Sequence, residues 1–343
     1  MFNINQRRRK LLSTAAAFTS VSLLGLTFGK NALAAGHSLI PFQIGLSAQA
    51  NTCLAIWMAE DAGYYKNHGL DFSEKRMFGG SQIGPALSSG DIQAMHIGSS
   101  SVVRANGNGY NLRTVAALRN VLSFTMFTRS EVKSPAELKG GIIGITSIGS
   151  ESDAALGVVL SKIGLTRSDI TIKEFGTDAA RTAALKDGSI VATMLNEPSR
   201  SNALAMGLNP IVDPLADHLP WVFTGLVVDA AYLKKHRDVL IRFLKATLEG
   251  NYLALTDEPR AKSLLAKKLD LTDPKIIEVV YQDFKTLSPR DIEVSSEGIK
   301  NIIAQVAKDD ASHDPKDYVD ISLLASIRKE GFMAGLKRKY KLS

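Results

Sequence analysis

The chain has 343 residues, 45% of them apolar and 22% charged, a globular composition that excludes disordered, collagen-like and low-complexity classes. Its single cysteine, Cys53, excludes an intrachain disulfide and any cysteine-built zinc or iron–sulfur site, and no apolar run reaches the roughly 18 residues that span a bilayer. The net charge of +7 is concentrated at one end: residues 1–34 hold Arg7, Arg8, Arg9, Lys10 and Lys30 and no acid, leaving 36 basic against 34 acidic residues beyond them. A nucleic-acid partner is therefore not expected.

Residues 1–34 read as an export signal. The basic block Arg7–Lys10 precedes a modestly apolar stretch, Ala15–Phe28, and then Ala32-Leu33-Ala34, a small-x-small cleavage pattern. The arginines before Lys10-Leu11-Leu12 resemble a twin-arginine (Tat) signal, and the general secretory route stays open. An amphipathic N-terminal helix is the alternative. With cleavage near Ala34, the mature protein is expected in the periplasm.

Strands and helices then alternate. Phe42–Leu46 is a predicted strand and Thr52–Asn67 a predicted helix, with Leu54, Trp57, Met58, Ala62 and Tyr65 at helical spacing. Strands follow at Leu70–Lys75, Ile92–Ile97 and Arg113–Leu118, separated by helices that open at Gly79-Gly80-Ser81 and at Gly98-Ser99-Ser100-Ser101. This is the pattern of an open parallel sheet. The pattern restarts after Arg129, with strands at Ile142–Ile145, Ile170–Glu174, Ile190–Met194 and Pro210–Val212. The intervening helices are predicted from Gly149 to Ile163, over Asp178–Asp187 and over Glu197–Met206. One more strand, Trp221–Val228, precedes a tail that is helical throughout, broken at Pro259, Pro274, Pro289 and Pro315. The fold expected is α/β, with two lobes: 35–122 with 222–343, and 123–221, joined by two crossings.

Two lobes joined twice form a cleft that closes by hinge motion, and open α/β sheets bind ligands beyond the carboxyl ends of their strands. Several strand-to-helix junctions here carry Gly and Ser: Gly80-Ser81, Gly98 to Ser101, and Ser147 to Ser152. Helix starts present free N–H groups and partial positive charge, which suits a small anionic head group without Lys or Arg. Plain N-capping, worth about 1 kcal/mol, is the better explanation of any single serine; the recurrence at three consecutive lobe edges favours a binding role.

Three strings, AIWMAEDAGYYKNHGLDF, GGSQIGPALSSGDIQAMHIGSSSVVRA and SPAELKGGIIGITSIGS, resemble the substrate-binding proteins of ABC importers for sulfonates, taurine and nitrate. That superfamily also holds the binding proteins for thiamine pyrimidine precursors. The resemblance runs from about Phe42 to Glu249 and implies the type II periplasmic-binding-protein fold. It also implies a small organic anion as ligand, and a permease with its ATPase subunits as partners. Carried over, the family site falls on Gln49, Asn51 and Thr52, on Gly80 and Ser81, and on Ser99 and Ser100. Ser147, Gly149 and Ser150 face them, with Asn196 and Glu197 beyond. Asn120 and Trp221 form the floor at the two crossings.

The remaining candidates have bland alternatives. Glu197, in Asn196-Glu197-Pro198, either holds a ligand N–H or starts a helix on its dipole. Arg119 is either a carboxylate clamp or half of an ion pair, and Arg200 either an anion contact or a solvated helix residue. Trp221 either stacks on a flat ligand or packs in the core, where Trp57 is also expected. Cys53 begins a helix, where a thiol is activated, but none of the six histidines has a paired spacing with it. No Gly-rich stretch ends in Gly-Lys-Ser/Thr, so ATP hydrolysis would belong to a partner. The reading is therefore a non-enzymatic solute receptor, expected to be a monomer and to need no cofactor. The rivals are an exported enzyme on the same fold, desulfinase-like, using Cys53 or Glu197, and a receptor domain that presents its ligand to a sensor.

Overall fold

The computed structural model describes residues 38–77, 82–308 and 311–342; the predicted export signal and Gly79, Gly80 and Ser81 lie outside them. Among the described residues, ten strands form two five-stranded sheets. The first holds β1 (Ile40–Leu46), β2 (Leu70–Arg76), β3 (Ala94–Ile97), β4 (Leu112–Val121) and β10 (Pro220–Asp229), in the order β2-β1-β3-β10-β4. The second holds β5 (Thr125–Thr128), β6 (Ile142–Ile145), β7 (Thr171–Glu174), β8 (Ala192–Leu195) and β9 (Asn209–Val212), in the order β7-β6-β8-β5-β9.

The two sheets share one plan. In each, three parallel strands are followed by one antiparallel strand that has crossed from the other half of the chain. β10 returns to lie antiparallel between β3 and β4, and β5 enters to lie antiparallel between β8 and β9. The sheets are thus mixed rather than parallel as expected. The reason is non-local: a strand's direction depends on where the chain comes from. β5 has no counterpart among the predicted strands, because Thr-Met-Phe-Thr is short and buried at all four positions and shows no alternation.

The helices lie on both sides of these sheets. α1 (Leu54–Asp61) and α2 (Tyr64–Asn67) replace the single predicted helix. Gly63 divides them with φ of 72°, a left-handed backbone that suits a residue without Cβ. A 3-10 turn, Asn51–Cys53, precedes α1. α3 (Ile83–Ser89), α4 (Ser99–Asn106), α5 (Glu151–Lys162), α6 (Asp178–Asp187) and α7 (Ser199–Ala205) fill the other crossovers.

The tail forms α8 (Ala230–Lys235), α9 (Arg237–Thr256), α10 (Glu258–Leu269), α11 (Pro274–Leu287), α12 (Ser296–Val306), α13 (Ser322–Lys329) and α14 (Phe332–Tyr340). Two of its prolines act as α-helix starts: Pro259 and Pro274 stand in the first turns of α10 and α11, behind the capping side chains of Asp257 and Asp273. α9 packs along α1 and α2, and Phe243 stacks on Phe42 at 4.5 Å between ring centroids. α11 also touches α7, and α12 also touches α5. Among the described residues, no helix is long and apolar enough to cross a membrane.

Candidate functional site

The carboxyl ends of the parallel strands in the two sheets face each other. From the first sheet come the loop after β1, the end of β3 with the start of α4, and β10. From the second come the loop between β6 and α5, the start of α6 and the residue after β8. Together they enclose a cavity of about 90 Å³, lined by hydroxyls (Ser47, Thr52, Ser101, Thr146, Ser150, Ser152, Thr224), by His96, Asn196, Glu151 and Asp178, and by Phe124 and Phe223. The two phenylalanines meet edge to face at 5.0 Å. A larger cavity of about 470 Å³ adjoins it, shares Ser101, and is walled by Arg104, Tyr110, Ile148 and Gly149 among others.

Glu151 crosses this cleft. It is the first residue of α5, after the capping serine Ser150, and its carboxylate reaches the opposite wall. There the Ser100 hydroxyl donates to one oxygen and the Trp221 indole N–H to the other. A Cβ at Gly98 would overlap this carboxylate, so the approach depends on glycine at that position. Burial pushes the Glu151 carboxyl up to about 7, against the pull of Ser100, Trp221 and the nearby Arg104 charge. Burial also pushes the His96 imidazole down to about 4, so it is neutral.

The guanidinium groups around the cleft already have partners from the chain itself. Arg119, 1% exposed, bonds Asp283 at 2.8 Å and the Ser123 hydroxyl at 3.1 Å. Arg181 pairs with Asp178, Arg104 with Asp153 at 3.3 Å, and Arg200 with Glu197 and Asp213, each at 3.5 Å. Among the described residues, no Lys or Arg lines the smaller cavity. Its side-chain donors are hydroxyls, the Asn196 amide and the His96 imidazole.

The predicted site residues divide accordingly. Thr52, Ser150 and Asn196 line the smaller cavity, and Ser100 and Trp221 meet there on Glu151. Ser99 turns to the sheet and bonds the Thr114 hydroxyl at 3.0 Å. The Ser147 hydroxyl is buried without a partner, and Gly149 lines the larger cavity with its N–H bonded to Asp153. Glu197 lies beside a tight polar cluster with Asn51, Arg119 and Asp283. There Asn51 donates to Asp283 at 2.7 Å and to the Val280 carbonyl at 2.9 Å. Gln49 is half-buried and does not line the cavity. Asn120 faces elsewhere: it donates to the Glu293 carbonyl and accepts from the Ser295 N–H, tying β4 to the start of α12. Trp221 is 1% exposed, so its ring packs in the core and only its N–H serves the cleft.

Sequence reasoning missed Glu151, His96, Phe124 and Phe223. The one available signal was an acid inside the serine-rich Ser147–Ser152 junction, and a helix dipole accounts for that locally. The fold also brings His96 to Cys53, 43 positions away, with both ring nitrogens 3.8 Å from the sulfur. This is the partner that spacing could not reveal. Burial nevertheless pushes the thiol up to about 12, the opposite of activation.

This architecture is the two-lobed periplasmic-binding-protein fold. A family model described as "NMT1/THI5 like" matches residues 51–261, more than half of the chain, and the chain belongs to that family. It is similar to the riboflavin-binding protein RibY of Chloroflexus aurantiacus, 28% identical over 165 residues. That match spans 46% of each protein, so the chain matches about half the length of this curated relative. Among solved structures, a Bordetella bronchiseptica protein superposes with a TM-score of 0.73 at 20% identity, covering 89% of this chain and 99% of the other. The periplasmic aliphatic sulphonate binding protein SsuA of Escherichia coli superposes with a TM-score of 0.61 at 22% identity, covering 74% and 86%.

Proposed function

We propose that this protein is the exported, periplasmic solute-binding component of an ABC importer, and that it delivers a small organic anion to a membrane permease and its ATPase subunits. The lobes in this reading are 35–122 with 222–343, and 123–221, the leader 1–34 having been removed. The observation that carries the reading is the cleft between the two sheets, lined from both sides by neutral donors and bridged at Ser100 and Trp221 by a carboxylate. Neutral donors of this kind hold an acidic head group reversibly, and the adjoining cavity offers a volume in the range of ordinary ligand sites for the rest of the solute.

Covalent catalysis fits less well. Cys53 is wholly buried with a raised thiol pKa, and Glu197 is held against Arg200 beside the cavity. A flat heteroaromatic solute is the second reading. The riboflavin-binding relative and the Phe124–Phe223 pair favour it.

A thermal-shift screen tests both. The panel holds taurine, alkane- and aryl-sulfonates, nitrate, aromatic acids, pyrimidines and riboflavin. A ligand at 100 times its Kd stabilises by about 2.7 kcal/mol, a shift of several degrees. An acidic hit recovered unchanged supports the first reading and a flavin or pyrimidine hit the second, while a consumed hit supports an enzyme.

A further inference from the structure

We propose that Glu151 is a tethered stand-in for the ligand: its carboxylate occupies the seat of the solute's acidic group and draws the two walls of the cleft together. The inference rests on the solute-binding reading and specifies what happens at that site before ligand arrives.

Three features carry it. The seat is built for an oxyanion, since each carboxylate oxygen receives its own donor, Ser100 on one side and Trp221 on the other. Its floor is Gly98, where any side chain would collide with the carboxylate. The occupant and the seat come from opposite sheets: Glu151 follows β6 of the second, whereas Ser100 follows β3 and Trp221 lies on β10 of the first. A group that bonds both walls at once favours the closed form, as a bound ligand does.

The space argues the same way. With Glu151 in place the cavity holds about 90 Å³, well below the roughly 300 Å³ at which ligand pockets begin. An organic solute enters only if Glu151 leaves, and its acidic group then inherits the same donors. The nearest cation, Arg104, is held by Asp153 and by the Ser150 carbonyl, so the seat offers hydrogen bonds rather than a free charge. The tether therefore competes with the solute, which sets a threshold concentration for loading.

Emptying the seat and refilling it with a small probe tests the proposal. In the full-length Glu151→Ala protein, sodium acetate should raise the melting point saturably by at least ~2 °C over sodium chloride at equal ionic strength, with the wild type unresponsive. Small-angle scattering should show that E151A is more expanded than wild type and contracts with acetate. Adding Ser100→Ala should abolish the response. A folded E151A that shows neither expansion nor an acetate response overturns the proposal, as does a wild type that responds equally. If E151A does not fold, Glu151→Gln keeps the shape and turns an amide N–H toward a donor. Expansion of E151Q supports the proposal, and unchanged scattering overturns it. A solute screen without hits would sink the proposed function and leave this acetate response standing. A missing acetate response beside a genuine solute hit would sink only the tether.

Discussion

The Trp221 indole N–H donates to the Glu151 carboxylate; Trp221 lies on β10 of the first sheet, whereas Glu151 opens α5, which follows β6 of the second. This bond ties the end of one crossing to the first turn of α5. It places a desolvated acid where the two halves meet, and the energetics of the cleft depend on that acid.

Trp221→Phe removes the donor and keeps most of the volume. A buried acceptor that loses its partner costs about 1–3 kcal/mol. Urea unfolding should show a loss of that size. A change within error would mean that the indole contributes packing alone.

The acid also sets a pH dependence. The Glu151 carboxyl titrates at about 7 when folded, against 4.5 ordinarily. Its stabilising contribution is complete below 4.5 and is lost as pH rises through 7. His96 acts in the opposite sense: its pKa falls from 6.5 to about 4, so its contribution is present above 6.5 and lost as pH falls through 4. The other charges near Glu151 are Arg104 on α4 and, within α5, Asp153, which Arg167 also pairs; Asp178 with Arg181 stands at the start of α6. Glu151→Gln removes the Glu151 titration and retains these other groups. Between pH 5 and 8 the wild type should lose melting temperature relative to E151Q; parallel curves would show that Glu151 titrates normally.

Gly98→Ala pushes a methyl group into the carboxylate. Overpacking of this kind costs about 1–3 kcal/mol. The cost should shrink by more than half in an E151A background, and a double-mutant cycle measures that coupling. Additive effects would separate Gly98 from Glu151.

Much of this architecture is legible in the sequence, and the remainder has an identifiable cause. Ile142–Ile145 and Asp178–Asp187 form with the predicted bounds, because local periodicity and glycine stops settle them. Strand direction is not local. β10 and β5 run antiparallel because the chain reaches them from the other lobe, and nothing within Trp221–Val228 or Thr125–Thr128 records that. Thr52, Ser150 and Asn196 reach the cavity because junction residues at strand ends point there in any such fold. Glu151 escaped notice because a helix start already explains an acid, and only the third dimension brings it to Ser100, 51 positions away.

Asp283 provides a further check, outside the cleft. It is the carboxylate partner of Arg119, whose side chain is 1% exposed. Asp283→Ala would strand a buried guanidinium and cost about 3–5 kcal/mol. The exposed Lys162–Asp217 pair should tolerate Lys162→Ala within about 1 kcal/mol. Equal effects would contradict the burial argument.

Cys53 distinguishes a binding protein from a thiol enzyme. With its thiol pKa near 12 and no exposure, it should react with iodoacetamide only after denaturation. Cys53→Ala should bind solute as the wild type does. Rapid modification of the native protein would reopen the enzymatic reading.

Calorimetric titration of the protein with the solute that shifts its melting point, followed by mass analysis of the recovered solute, tests the central claim most directly. One solute should bind per chain and be released intact, with no covalent adduct on the protein. A chemically altered solute, or an adduct on Cys53 or Glu197, would contradict it.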